Sequence, residues 1–153
     1  MKNKALKILF VTVSCLGALG FSAMVSAHES GTRSLGNAAG ATDFYQVSCF
    51  DDGDGPADYL EVQLQDLAPK PTPDPMISIQ VIKGLKAANT TDQVDGDAAL
   101  SPLIQLHGGN GTYLVTVDKT KAGKENYQFT YHCMTADNVH TGTSEPLPVA
   151  QNQ

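Results

Sequence analysis

The chain has 153 residues, of which 10 are basic and 16 are acidic, so its formal net charge is −6 at pH 7. Surfaces that bind phosphate groups need clustered Lys and Arg, and the basic residues after position 27 are few and scattered. The composition therefore argues against a nucleic acid or an anionic lipid as partner.

The N-terminal 27 residues have the three parts of a secretory signal peptide. Lys2, Lys4 and Lys7 form a positive region, residues 8–24 are mostly apolar and uncharged, and residues 25–27 are small (Val-Ser-Ala). The apolar run is too short and wrongly flanked for a stable membrane anchor. We therefore predict cleavage after residue 27 and export to the periplasm or the extracellular space, with no membrane span.

Cleavage would change the chemistry of the chain. The remaining 126 residues (153 less 27) carry seven basic and 16 acidic residues, a charge of −9, and are enough for one domain. Cys15 would be lost, which leaves Cys49 and Cys133. In an exported protein two cysteines predict one disulfide, and two free buried thiols are the alternative. The new first residue would be His28.

Residues 28–42 are small, polar and glycine-rich, which predicts a flexible N-terminal arm. From residue 43 to residue 134, apolar and polar residues alternate in short runs that are typical of half-buried strands. The predicted strands are residues 43–50, 59–67, 76–83, 100–106, 112–118 and 126–134, separated by turns, by a proline-rich connector at 69–75 and by a long loop at 84–99. Residues 135–153 are predicted to be a loose tail.

No segment has a helical period, so six short strands predict an all-β fold, a small antiparallel β-sandwich over residues 43–134. Alternation places Cys49 on the same face as Tyr45 and Val47, and Cys133 on the same face as Tyr127 and Phe129. Both cysteines therefore point into the predicted core, where a bridge would join the first strand to the last.

Several of these strands together resemble the bacterial pre-peptidase C-terminal domain. Residues 111–117 (GTYLVTV) and 127–131 (YQFTY) resemble its closing hairpin, and residues 42–47 (TDFYQV) and 60–64 (LEVQL) resemble its first two strands. The resemblance implies a jelly-roll-like sandwich without catalytic activity, of a kind that binds calcium or helps attach secreted enzymes to substrates or surfaces. We expect this chain to differ from that pattern in standing alone, without an attached peptidase, and it differs in having a cysteine pair.

His28 as a first residue offers one metal ion two nitrogens, its α-amine and its imidazole Nδ1. A second histidine would complete a planar three-nitrogen site that suits Cu(II). This arrangement resembles the histidine brace of lytic polysaccharide monooxygenases and some periplasmic copper-binding sandwiches. The candidate partners are His107, His132 and His140, with Met134 two residues from His132 on the same strand face. Alternatively, His28 begins an unstructured arm and the other histidines are exposed polar residues.

An acidic turn provides a second candidate metal site. Asp51, Asp52, Asp54 and Asp58 are close together, and such oxygen ligands suit Ca²⁺. The segment lacks the remaining ligands and the flanking helices of an EF-hand. Asp and Gly also favour turns for purely local reasons, which is the simpler interpretation.

The sequence thus favours an exported, non-catalytic β-sandwich that binds a partner, with calcium as a candidate ligand. The alternative is a periplasmic copper-binding protein that uses His28. Enzyme motifs such as Gly-x-Ser-x-Gly, Cys-x-x-Cys and a phosphate-binding loop are missing. The expected partner is a metal ion, a cell-surface component or another exported protein.

Overall fold

The computed structural model describes residues 28–67, 75–94, 97 and 99–150. The predicted signal peptide and most of the proline-rich connector lie outside these residues. Every regular element in the described part is a β-strand, and a helix long and apolar enough to cross a membrane is not found there.

Eleven strands form where the sequence alternates or where a short segment pairs with a longer strand. They are β1 (His28–Glu29), β2 (Arg33–Leu35), β3 (Asp43–Phe50), β4 (Tyr59–Asp66), β5 (Ile77–Lys83), β6 (Lys86–Asp92), β7 (Ile104–His107), β8 (Gly111–Lys119), β9 (Glu125–Met134), β10 (His140–Thr143) and β11 (Leu147–Ala150).

The strands follow the order β6-β5-β8-β3-β10-β9-β4-β7, and every pairing is antiparallel. β10 joins the two halves of this order, since its first two residues pair with β9 and its last two pair with β3. β6 also contacts β7 and β4, so the sheet almost closes into a barrel. The short strands β1 and β2 pair with β9 beside β10, and β11 pairs with β3.

Aromatic and branched side chains from the inward positions of the long strands form the core. The largest fully buried ones include Tyr45, Tyr113, Tyr127, Phe129 and Tyr131. In β9 burial alternates along the whole strand, so its odd-numbered residues face the core and its even-numbered residues face outward. This alternation decides which β9 side chains are available to a ligand.

Cys49 in β3 and Cys133 in β9 form the predicted disulfide, and both residues are almost fully buried. The bond spans a sequence separation of 84 residues and connects the two halves of the sheet close to β10. The predicted all-β antiparallel fold, the inward direction of both cysteines and their bond are therefore confirmed.

The structure corrects three predictions of irregular segments. The N-terminal arm contains β1 and β2, the loose tail contains β10 and β11, and the loop at residues 84–99 contains β6. These strands are short or polar, and their sequences carry little apolar alternation. Backbone hydrogen bonding to neighbouring strands holds them in place, and such pairing leaves a weak signal in composition.

Candidate metal centre

Three histidines that are distant in the sequence meet on the outer face of the sheet. His132 occupies an outward position of β9, His140 is the first residue of β10, and His28 begins β1. Each offers one imidazole nitrogen, and these three atoms all lie within 4.8 Å of one another. In the described part of the chain, this is the one group of three or more His, Cys, Asp or Glu side chains with such spacing.

Strand pairing brings the three residues together. β10 pairs with the end of β9, where His140 lies opposite the outward-facing Met134. β1 pairs three residues earlier in β9, where His28 lies opposite the inward-facing Tyr131, and ring contacts place His28 beside the other two histidines. His132 lies between these two pairs on β9. Below His28, the Ser30 N–H donates to the Phe129 carbonyl at 2.9 Å, and the Phe129 N–H donates to Ser30 Oγ at 3.0 Å. His28 is therefore held at the edge of β9.

The three imidazole rings form a compact cluster. The rings of His28 and His140 are stacked with centroids 5.1 Å apart and an interplanar angle of 11°. The ring of His132 stands edge-on to both, at 6.0 Å from His28 and 5.2 Å from His140. Rings at this separation can direct one nitrogen each toward a common point.

Within the part of the chain that the structure describes, two nitrogens of this cluster are buried without a hydrogen-bond partner, His28 Nδ1 and His140 Nε2. A buried polar atom that makes no hydrogen bond costs roughly 1–3 kcal/mol. A metal ion accepts the lone pair of a neutral imidazole nitrogen and would remove that cost. His28 Nδ1 is also the ring nitrogen that can chelate one ion together with the α-amine of the same residue.

The surroundings of His132 and His140 favour the neutral form of their imidazoles. Burial lowers the pKa of His132, and the neighbouring His140 and His28 lower it further. Burial, followed by His28, also lowers the pKa of His140. Metal ions bind the neutral form of histidine, so these shifts keep the lone pairs available around neutral pH.

Negative charge surrounds one side of the cluster. Asp52, Glu61 and Asp54 act in the opposite direction to burial and raise the pKa of His140. Glu61 lies in β4 directly opposite His132 in the strand register. An acidic neighbourhood of this kind attracts cations and stabilises their charge when they bind.

A network of hydrogen bonds fixes the loop between β9 and β10. The Val139 N–H donates to Thr135 Oγ1 at 3.1 Å, and the Tyr59 hydroxyl donates to Asn138 Oδ1 at 2.8 Å. Asn138 has a φ of 60°, a left-handed conformation that Asn accepts more readily than most residues. His140 follows this loop directly, so the network fixes its position.

The acidic turn that begins at Asp51 contacts β10, the strand that carries His140. The hydroxyl of the buried residue Thr141 lies 2.6 Å from the Gly55 carbonyl and 3.2 Å from Asp52 Oδ1. Asp51 Oδ1 accepts hydrogen bonds from the N–H groups of Gly53 at 2.9 Å and Gly55 at 3.2 Å. These aspartates therefore make the local bonds expected of turn residues, and calcium binding stays a prediction.

His107 does not join the other histidines. Its Nδ1 lies 2.7 Å from Asp58 Oδ2, and its ring packs 5.0 Å from that of Tyr59. Three strand spacings, together about 14 Å, separate β7 from β10 across β4 and β9. Of the sequence candidates for copper, the structure thus brings together His28, His132 and His140 and leaves His107 apart.

Two further side chains lie beside the cluster. Met134, a sequence candidate, is half-buried and lies directly opposite His140. Glu61 was not a candidate, although alternation along β4 places it on the outer face. The missing information was strand order, because one sequence does not show that β4 lies next to β9.

Comparison with protein-family models, with curated proteins and with solved structures finds no match. The resemblances to the pre-peptidase C-terminal domain and to histidine-brace proteins therefore remain expectations from the sequence.

Proposed function

We propose that this protein binds one copper ion through His28, His132 and His140. The observation that carries the proposal is the convergence of three imidazole nitrogens within 4.8 Å. Among the described residues, His28 Nδ1 and His140 Nε2 in this cluster are also buried without a hydrogen-bond partner. Imidazole nitrogens bind copper, zinc, iron and nickel, and among divalent first-row metals copper binds most tightly to a given nitrogen site.

The amine of His28 would be the fourth nitrogen. If the leader is removed after residue 27, the α-amine and Nδ1 of His28 can close a chelate ring on the same ion. Cu(II) favours a square-planar set of nitrogen ligands, and this set would supply it. The buried disulfide supports export, because such bonds persist in oxidising compartments.

We favour a binding role over a catalytic one. The site lies on the outer face of a sheet, and its neighbours include the acidic Glu61 and the thioether of Met134. The proposal places copper binding ahead of the calcium-binding accessory role that the sequence favoured. The reason is that the histidines converge, whereas Asp51 and Asp52 accept hydrogen bonds within their own turn.

The test uses two versions of the chain, one beginning at His28 and one that keeps residues 25–27 in front of it. We expect the first to bind Cu(II) tightly in a competition titration. The three added residues convert the amine of His28 to an amide and move the new terminal amine too far along the chain to close a small chelate ring with Nδ1, while all three imidazoles remain. Binding should weaken by more than about a hundredfold, beyond the 10–100-fold typical of losing a supporting group.

The same titration on two single variants shows which histidines take part. His132→Asn should weaken binding strongly, and His107→Asn should leave it unchanged, because His107 lies across β4 from the cluster. Equal affinity of the chains with and without residues 25–27 would remove the His28 amine from the site. Equal affinity of His132→Asn and the unchanged protein would overturn the proposal.

A further inference from the structure

Strand pairing places two side chains of opposite chemical character, a thioether and a carboxylate, next to the three histidines. Met134 lies opposite His140 across β9 and β10, and Glu61 lies opposite His132 across β4 and β9. Directly opposed residues in an antiparallel pair have Cβ atoms about 4.5–5.5 Å apart and project to the same face. A soft thioether and a hard carboxylate therefore flank the same cluster.

These two groups prefer different oxidation states of copper. Thioether sulfur favours Cu(I), whereas carboxylate oxygen favours harder and more highly charged ions. Negative charge near the site also stabilises Cu(II) more than Cu(I), because the extra positive charge interacts with it.

We infer that the site holds copper in both oxidation states, with Met134 selecting for Cu(I) and Glu61 selecting for Cu(II). The inference rests on the proposed copper-binding function. It assigns a carrier role in which copper is accepted or released in either state. Copper can be bound and released in the state in which it arrives, so the protein itself need not supply an electron. Where a small one-electron reductant such as ascorbate is present, it supplies the electron that converts Cu(II) to Cu(I), and the histidines stay bound throughout.

The test measures both affinities in the chain that begins at His28. Nitrilotriacetate competes for Cu(II), and bicinchoninate competes for Cu(I) in the presence of ascorbate, which supplies the electron. Met134→Leu keeps the side-chain volume and removes the sulfur. Glu61→Gln keeps the shape and removes the charge.

We expect Met134→Leu to weaken Cu(I) binding about tenfold and leave Cu(II) binding within a factor of two. Glu61→Gln should weaken Cu(II) binding about tenfold and leave Cu(I) binding within a factor of two. A tenfold change in one affinity alone corresponds to 59 mV for a one-electron couple, so the potential should fall by about 59 mV in Met134→Leu and rise by about 59 mV in Glu61→Gln. Cyclic voltammetry of the loaded protein measures this shift independently.

Two control variants match these substitutions away from the site. Met76→Leu makes the same change at an exposed position before β5, and Asp97→Asn removes an exposed acidic charge. Both should retain the affinities and potential of the unchanged protein. Circular dichroism and the unfolding midpoint of each variant show whether it is folded.

The outcomes separate the two proposals. If the unchanged protein binds neither Cu(II) nor Cu(I), the proposed function fails. If it binds copper but Met134→Leu and Glu61→Gln leave both affinities unchanged, or weaken both affinities equally, copper binding stands and the inference about oxidation states is overturned.

Discussion

Breaking the Cys49–Cys133 disulfide should remove a large part of the stability of the fold. The bond closes a loop between residues 84 positions apart and joins β3 to β9 beside the strand that carries His140. In the chain-entropy model, a loop of this length lowers the entropy of the unfolded chain enough to stabilise the fold by roughly 4–5 kcal/mol. Small domains typically have only about 5–15 kcal/mol in total.

The assay is urea unfolding of the metal-free protein, followed by far-ultraviolet circular dichroism and by tyrosine fluorescence, since the chain has no Trp. The unchanged protein is compared before and after reduction by a phosphine. Reduction removes the bond and leaves both sulfurs in the core, so cavity formation does not contribute. The double variant Cys49→Ala/Cys133→Ala provides a second comparison and should lose somewhat more, because it also creates cavities.

We expect reduction to lower the free energy of unfolding by about 4–5 kcal/mol. A loss below about 1 kcal/mol would refute the argument that loop closure in the unfolded chain is the main contribution of this bond. Full retention of the native circular dichroism after reduction would show further that the strands on either side of the bond pair without it.

Two further predictions concern the pH dependence of stability and the packing of Gly142 in β10. Burial lowers the pKa of His132 and His140 below the ordinary value of 6.5, so the unfolded chain binds more protons than the folded chain below that pH. The free energy of unfolding of the metal-free protein should therefore fall as the pH is lowered from about 6.5, and urea titrations at several pH values measure this loss. A His132→Asn/His140→Asn double variant whose free energy of unfolding depends on pH in the same way would contradict the prediction. A Cβ at Gly142 would lie 2.4 Å from Phe50 Cδ2 and 2.7 Å from its carbonyl oxygen, so Gly142→Ala should destabilise the fold by about 1–3 kcal/mol. Gly40→Ala, where a Cβ meets no atom within 4 Å, is the control in the same unfolding experiment, and equal stability of the two variants would contradict the packing argument.

The sequence predicts the long strands well because their burial is periodic. The inward side of β9 and the direction of Cys49 and Cys133 follow from alternation alone, and the structure confirms them. β6 and β10 were missed because Lys86–Asp92 is mostly polar and His140–Thr143 contains only small or polar residues. Their positions depend on neighbouring strands, which local composition does not describe.

For the candidate site, the sequence identified all three histidines but not which of them meet. Selecting His132 and His140 over His107 required the order of β7, β4, β9 and β10. The same order is needed to recognise Glu61 as a neighbour of His132. Side-chain direction is a local property of a strand, whereas the identity of the adjacent strand depends on the whole fold.

The most direct test of copper binding is a native mass spectrum of the protein. The chain is expressed with its own leader in a bacterial host, purified from the exported fraction, and supplied with one equivalent of Cu(II) in the presence of excess Ca²⁺. We predict a mass that begins at His28, lacks two hydrogens because of the disulfide, and includes one copper ion. A mass without copper, or with calcium in its place, would contradict the account.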